Sequence, residues 1–313
     1  MHMPNSGEGT NRSNAVVWID QGKGELPLMH IRNAFAECSI YLYGAHVASF
    51  RPRGMDEVLF MSPHSKFVPT VPIRGGIPIC FPWFGKHKTQ NELPLHGCVR
   101  TKIWDVLSNA TLDDGSTRVV LGTSFDANTL KVWPHRFSIE LAVTVSTSLT
   151  MELLVENIDN HRWTFEDAFH NYFTIGNLKE CTILGLEACT VIDRTDDDSR
   201  SVQKEPLAIE GECVKIFINA PGQSTLIDKA LNRRIIVEQR MMRDTVVWNP
   251  GYHAGMANLE VLDAWDRYVC VESANCLGNA ISLDSDCAHR SVMTISALPF
   301  GAIRHEHHHV AAE

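Results

Sequence analysis

Residues 138–145 read Ser138-Ile139-Glu140-Leu141-Ala142-Val143-Thr144-Val145, and 149–155 read Leu149-Thr150-Met151-Glu152-Leu153-Leu154-Val155. The first run puts Ile139, Leu141, Val143 and Val145 on one face and Ser138, Glu140 and Thr144 on the other. The second repeats the pattern with Leu149, Met151, Leu153 and Val155. An apolar period of two is that of a half-buried strand. Ser146-Thr147-Ser148 between the runs suits a short hairpin connection. Outward from this pair, Asp113-Asp114-Gly115-Ser116 carries the Asp-Gly cue of another hairpin, between strands predicted at 103–107 (with Trp104) and 118–123. Further strands are predicted at 38–43, 58–61, 181–184, 214–218, 235–239, 245–248, 268–272 and 292–296. A helical period hardly occurs; 257–265 reads as a short helix or turn. The fold class is all-β: a large antiparallel β-sandwich of two packed sheets.

The chain has 313 residues, a length that admits two domains of about 150 residues. No linker divides it, and the acidic stretch 193–204 reads as a surface loop. The expectation is one domain over 14–303, a polar lead-in at 1–13 and a flexible His-rich tail at 304–313. Hydrophobic residues at 44% and charged residues at 21% exclude disordered and fibrous classes. The 28 Lys and Arg against 37 Asp and Glu leave a net charge of −9, which argues against a nucleic-acid partner. No apolar run is long enough for a membrane span, and the first thirty residues hold no secretory apolar core. Nine scattered cysteines without a CxxC fit free thiols in a reducing compartment, and the cytoplasm is the expected location. No metal-ligand spacing appears in the body of the chain, so neither metal nor cofactor is expected; His305, His307, His308 and His309 read as part of a terminus.

Four segments carry candidate chemistry. In 71–85 (VPIRGGIPICFPWFG), Arg74 is alone among apolar residues, Gly and Pro. Such an arginine is paired to a structural carboxylate or aimed at a ligand anion. In 93–100 (LPLHGCVR), His96 and Arg100 flank Gly97 and can share a pocket, although either is commonly structural. In 165–173 (FEDAFHNYF), His170 among aromatics is a hydrogen-bonded core histidine or a tuned acid or base. In 268–273 (YVCVES), Glu272 follows an apolar strand. It is a strand-end carboxylate reaching solvent or, if buried, a functional group, because strands deplete Glu and buried carboxylates need partners.

Taken in order, Arg74-Gly75-Gly76-Ile77-Pro78, Phe81-Pro82-Trp83-Phe84-Gly85, Leu93-Pro94-Leu95-His96-Gly97 with Arg100, Phe169-His170-Asn171-Tyr172-Phe173, Val246-Val247-Trp248-Asn249-Pro250 and Cys270-Val271-Glu272 resemble the glucose-6-phosphate 1-epimerases of the aldose 1-epimerase superfamily. The likeness runs from about Ala34 to about Leu298. It implies a galactose-mutarotase-like sandwich and interconversion of the α and β anomers of a hexose 6-phosphate, a small-molecule sugar phosphate, with neither metal nor cofactor. It implies His170 as general acid, Glu272 as general base, and Arg74, His96 and Arg100 as substrate-binding residues. Ring opening needs a base for the C1 hydroxyl and an acid for the ring oxygen, so ionised Glu272 and protonated His170 are the expected pair. Three departures stand out: Leu95 where relatives often have Gln, Ser273-Ala274-Asn275 where they often have Pro-Gly, and Val214 where they place an Asp. These leave two alternatives: a catalytically silent sugar-phosphate-binding or regulatory protein, and a mutarotase of neutral aldoses.

Overall fold

The computed structural model describes residues 15–300; the lead-in 1–13 and the tail 304–313 fall outside the described residues. The two alternating stretches form the expected hairpin, Phe137–Val145 against Ser148–Asn157, with Val145 opposite Leu149. Leu149, Met151, Leu153 and Val155 are buried, while Thr150, Glu152, Leu154 and Glu156 are half-buried. The sheet around them has eight strands in the order Cys181–Leu184, Gln223–Asp228, Arg233–Arg240, Ala288–Pro299, Ser148–Asn157, Phe137–Val145, Thr117–Ser124 and Asp105–Thr111.

A second eight-stranded sheet runs Ser199–Val202, Thr190–Asp193, Cys213–Ile218, Asp244–Asn249, Tyr268–Asn275, Asp167–Phe169 and Ile79–Cys80, with Tyr172–Thr174 also on Tyr268–Asn275. The pairings in both sheets are antiparallel. A four-stranded sheet precedes them: Val16–Gln21, Pro27–Arg32, Ala36–Tyr41 and His46–Pro52. Phe217, Val247, Val269 and Val271 of the second sheet share one buried cluster with Met151, Leu153, Ile235 and Met293 of the first. Each such side chain contributes about 1.5–3 kcal/mol on burial. Buried Asp167 links the layers, accepting from Ser291 Oγ at 2.5 Å and Asn275 Nδ2 at 2.8 Å.

This packing sets where the candidate residues point. With Val247, Val269 and Val271 turned to the core, the alternate positions of the same strands face the opposite side. Val214, Trp248 and Cys270 form one register row there, and Ile216, Val246 and Glu272 the next. Glu272 therefore stands on the outer face of a central strand.

Several expectations are corrected. Residues 193–204 are not simply a loop: Ser199–Val202 turns back on Thr190–Asp193 as the sheet's edge strand. It is exposed at every position, so no apolar alternation announces it. Residues 58–61 make only isolated bridges, Leu59 to Phe173 and Met61 to Gly75. The strand predicted at 103–107 starts at Asp105, because Trp104 is drawn fully inside and its indole N–H donates to Val99 O at 3.2 Å. The helix lies earlier than 257–265, at Gly251–Ala257, followed by a 3-10 turn at Leu262–Ala264. Finally, Glu272 does not end its strand, which continues to Asn275 through buried Ser273 and Ala274.

Candidate active site

Arg74 enters the site from a segment held close to its neighbours. Gly76 has φ +58°, and a Cβ there would lie 2.3 Å from Val47 O, so only glycine fits. The Arg74 guanidinium donates through Nη1 to Tyr172 Oη at 3.1 Å and through Nη2 to Glu260 Oε2 at 2.9 Å. It is thus both paired and pointed into the site. Glu260 arrives on the 250–265 excursion, whose Val261 and Ala264 pack on Phe60, Tyr172, Tyr268 and Cys270. Asn249 Nδ2 closes that excursion, donating to Trp265 O and Tyr268 O at 2.8 Å each.

The 93–100 segment turns sharply at His96 (φ +62°) and Gly97 (φ +85°). Arg100 Nη2 donates to Leu95 O. The Leu95 side chain is itself exposed, so at this position the backbone contributes the polar contact. His96 Nδ1 accepts from Gly85 N at 3.1 Å, which assigns the ring proton to Nε2. Its ring meets His170 edge-on at 5.2 Å between centroids.

His170 follows the short strand Asp167–Phe169, and its backbone N–H donates to Pro78 O at 3.0 Å. Its ring stacks on Tyr172 at 4.8 Å and 8° and meets Trp248 edge-on at 6.1 Å. His170 Nε2 lies 3.5 Å from Glu272 Oε1. Glu272 is 1% exposed and His170 6%. His170 Nδ1 and Glu272 Oε2 are buried without a hydrogen-bond partner among the described residues. Buried polar atoms are rarely left so, and such orphans mark where a ligand's polar groups fit.

Burial is the main electrostatic influence. It holds Glu272 well above the usual carboxylate range, with Arg100 opposing. Burial, then Arg100 and Arg74, hold His170 well below the usual histidine range. Both groups are driven to their neutral forms, the reverse of the charged pair expected from the sequence. His96 is held low by burial, Arg100 and His170. Arg74 is raised by Tyr172 and Glu260, whereas burial lowers Arg100.

A cavity of about 290 Å³ opens beside Arg74, Arg100, Glu260, Ile73, Leu95 and Gly97. His170 and Glu272 do not line this cavity; His170 is linked to it by the contacts from Arg74 to Tyr172 and from Tyr172 to His170. His170, Cys270 and Glu272 also offer three ligand-type atoms within 4.8 Å of one another. The field of Arg74 and Arg100 works against a cation there.

The structure thus brings Arg74, His96, Arg100, His170 and Glu272 into one neighbourhood. Sequence reasoning did not single out Glu260, nor did it give Tyr172 and Trp248 a role. Tyr172 and Trp248 lay within the motifs already noted, but nothing local marks Glu260, which is 186 positions from Arg74.

Residues 27–296 match the family model described as aldose 1-epimerase. The chain belongs to the aldose 1-epimerase family. Membership makes it an isomerase acting on sugars. The chain is 30% identical over 300 residues to a Cenchrus ciliaris protein named "Putative glucose-6-phosphate 1-epimerase", covering 91% of this chain and 88% of that one. An Escherichia coli (strain K12) protein of the same name is 31% identical over 252 residues, covering 80% and 83%. Among solved structures, a Salmonella typhimurium protein titled "putative mutarotase (YeaD)" superposes with a TM-score of 0.84 at 27% identity, covering 91% of this chain and 94% of that one. A galactose mutarotase-like protein from Clostridium acetobutylicum, 13% identical, shares the fold with a TM-score of 0.72, covering 92% and 100%. The aldose 1-epimerase architecture therefore spans nearly all of the chain.

Proposed function

We propose that this family member is a cytoplasmic hexose-6-phosphate mutarotase, a glucose-6-phosphate 1-epimerase, with His170 and Glu272 as its acid–base pair. The observation that carries the reading is a buried histidine and carboxylate 3.5 Å apart, with two arginines beside them. The relatives' names point the same way. Nine free cysteines, one of them exposed, support that location. Among the described residues no helix is long and apolar enough to cross a membrane.

Mutarotation moves one proton from the C1 hydroxyl and delivers another to the ring oxygen. In the empty site, burial favours the form in which Glu272 keeps the shared proton. A sugar hydroxyl donating to Glu272 Oε2 favours the carboxylate and shifts that proton to His170. Glu272 then takes the C1 proton while His170 protonates the ring oxygen, and the C1–O5 bond breaks. The open chain rotates about C1–C2, and the reversed transfers close the ring on the other face. Each positioned group is worth roughly 10²–10⁴ in rate. Arg74, for whose guanidinium the 6-phosphate competes with Glu260, and Arg100 offer donors to the phosphate, and the His96 Nε2–H offers one to a sugar hydroxyl.

Arg74→Ala and Arg100→Ala test the phosphate assignment. Each is expected to raise KM for glucose 6-phosphate at least tenfold more than KM for free glucose, since charge-assisted bonds to the anion are worth about 1.5–3 kcal/mol. Equal effects on both sugars would contradict a phosphate-binding role and favour a mutarotase of neutral aldoses.

A further inference from the structure

Apart from the proposed sugar site, a second group of side chains has the geometry of a metal centre. It joins the loop before Phe137–Val145 to the turn after Ser148–Asn157. His135 Nδ1 lies 3.2 Å from His161 Nε2. Asp159 Oδ2 lies 3.9 Å from His135 Nδ1, and the three residues can present ligand atoms all within 4.8 Å of one another. We propose that His135, His161 and Asp159 bind a divalent transition-metal cation of the zinc, nickel or copper class, clamping the two loops together.

The distances fit this chemistry. Metal–nitrogen bonds of about 2.0–2.1 Å place two nitrogens on a tetrahedral edge about 3.3 Å apart. The two imidazole nitrogens stand at that separation, and the carboxylate Oδ2, 3.9 Å from His135 Nδ1, must draw closer to both of them. Two imidazoles and a carboxylate suit zinc, nickel and copper better than calcium or magnesium, which prefer all-oxygen sets.

The supporting contacts resemble an outer shell. Asp159 Oδ2 accepts from Arg136 N at 3.1 Å and Oδ1 from Asn160 N at 3.0 Å, which fixes the carboxylate. His161 Nδ1 is 3.1 Å from Asn160 Oδ1, and donating there turns its Nε2 lone pair toward His135. Buried Asn157 pins the turn, accepting from Asp159 N and donating to His161 O, both at 2.9 Å. Ser285 Oγ donates to Asp159 O at 2.6 Å. Two cations flank the cluster, and each is engaged elsewhere: Arg136 lies over the Phe125 ring and Arg162 pairs with Asp284. In the metal-free pair one imidazole must donate to the other. The cation replaces that bond, and the His135 proton moves to Nε2 without net release.

The site predicts its own optical signal, because the His135 ring is 4.6 Å from Trp133 and 6.1 Å from Trp163. The test is titration of the full chain with copper(II), following tryptophan emission, alongside His161→Ala and Asp159→Asn. His161 is half exposed, so its replacement spares the fold. The tail histidines are the same in all three proteins, so binding there cancels in the comparison. The expected result is saturable partial quenching in the parent, shifted to at least roughly tenfold higher copper concentration in both variants. A parallel thermal scan with zinc(II) should raise the parent's Tm more than that of either variant. Superimposable quenching curves for parent and His161→Ala, or no saturable quenching at all, would overturn the proposal.

Discussion

Glu260→Gln is expected to tighten the site's hold on a hexose 6-phosphate. Glu260 holds Arg74 at 2.9 Å, so an incoming phosphate competes for the same guanidinium. The two side chains are 23% and 21% exposed, so water weakens the pair without dissolving it. Glutamine keeps the length and one acceptor oxygen, which leaves Arg74 in place and removes only the charge. The substitution turns an ion pair into a hydrogen bond charged on the arginine side only, which removes on the order of 1 kcal/mol of competition for a pair this exposed. Repulsion between a carboxylate and a phosphate dianion about 6 Å apart in a near-water dielectric adds roughly 1 kcal/mol, less in salt. The sum corresponds to a KM for glucose 6-phosphate lower by roughly five- to thirtyfold. The assay is anomer exchange against sugar concentration, with free glucose as the neutral reference and inorganic phosphate as an inhibitor. KM for the phosphorylated sugar should fall relative to that for glucose, and the phosphate inhibition constant should fall with it. A KM ratio that stays the same, or a rise for both sugars, would refute competition by Glu260.

Gly97→Ala should destabilise the fold by several kcal/mol and abolish activity, because φ is +85° and the new Cβ would lie 1.8 Å from Phe81 O. Denaturant unfolding near wild-type stability would contradict the assigned backbone. Acid should weaken the protein early. His46 is buried and held down to about 3, first by burial and then by Arg100, and His96 and His170 shift in the same direction. Below about pH 6.5 the unfolded chain binds protons that the folded chain refuses, so stability present above that pH is lost as pH falls toward 3. Each histidine contributes up to about 1.4 kcal/mol per pH unit. Raised Glu272 works in the opposite sense, costing stability as pH rises above the usual carboxylate range. Asp167 and Asp244, raised by burial, work in the same sense as Glu272, so the histidine share is read as a difference. His46→Gln should flatten the fall of the urea midpoint between pH 6.5 and 5 relative to the parent, and an unchanged slope would contradict neutral burial of His46.

Much of the architecture was legible wherever one face of a strand meets the core. The alternation at 138–155 marked both strands of the hairpin, and Glu272 stood out as a carboxylate at the end of an apolar run. Positions without a buried face were not legible. Ser199–Val202 is exposed throughout, and the irregular bridges at Leu59 and Met61 depend on Phe173 and Gly75, which are distant in sequence or strained in backbone. Of the site, the residues inside compact motifs could be read and those brought in by tertiary closure could not. Glu260 lies between Leu259 and Val261 in a stretch with no motif around it, and meets Arg74 only because Val261 and Ala264 are packed under the excursion. Protonation was also beyond sequence, because it depends on burial, which here moves Glu272 up and His170 down, each toward its neutral form.

The acid–base pair is tested most directly by anomer exchange of glucose 6-phosphate, followed by magnetisation transfer between the α and β C1 protons. Parent, His170→Gln and Glu272→Gln would be compared at equal concentration. The account predicts exchange well above the spontaneous rate for the parent and a loss of roughly 10²–10⁴ in each variant, with sugar-phosphate binding retained. A parent that binds the sugar phosphate while exchange stays at the spontaneous rate would contradict it and leave a silent binder, with Val214 on the Glu272 face as the first residue to exchange for Asp.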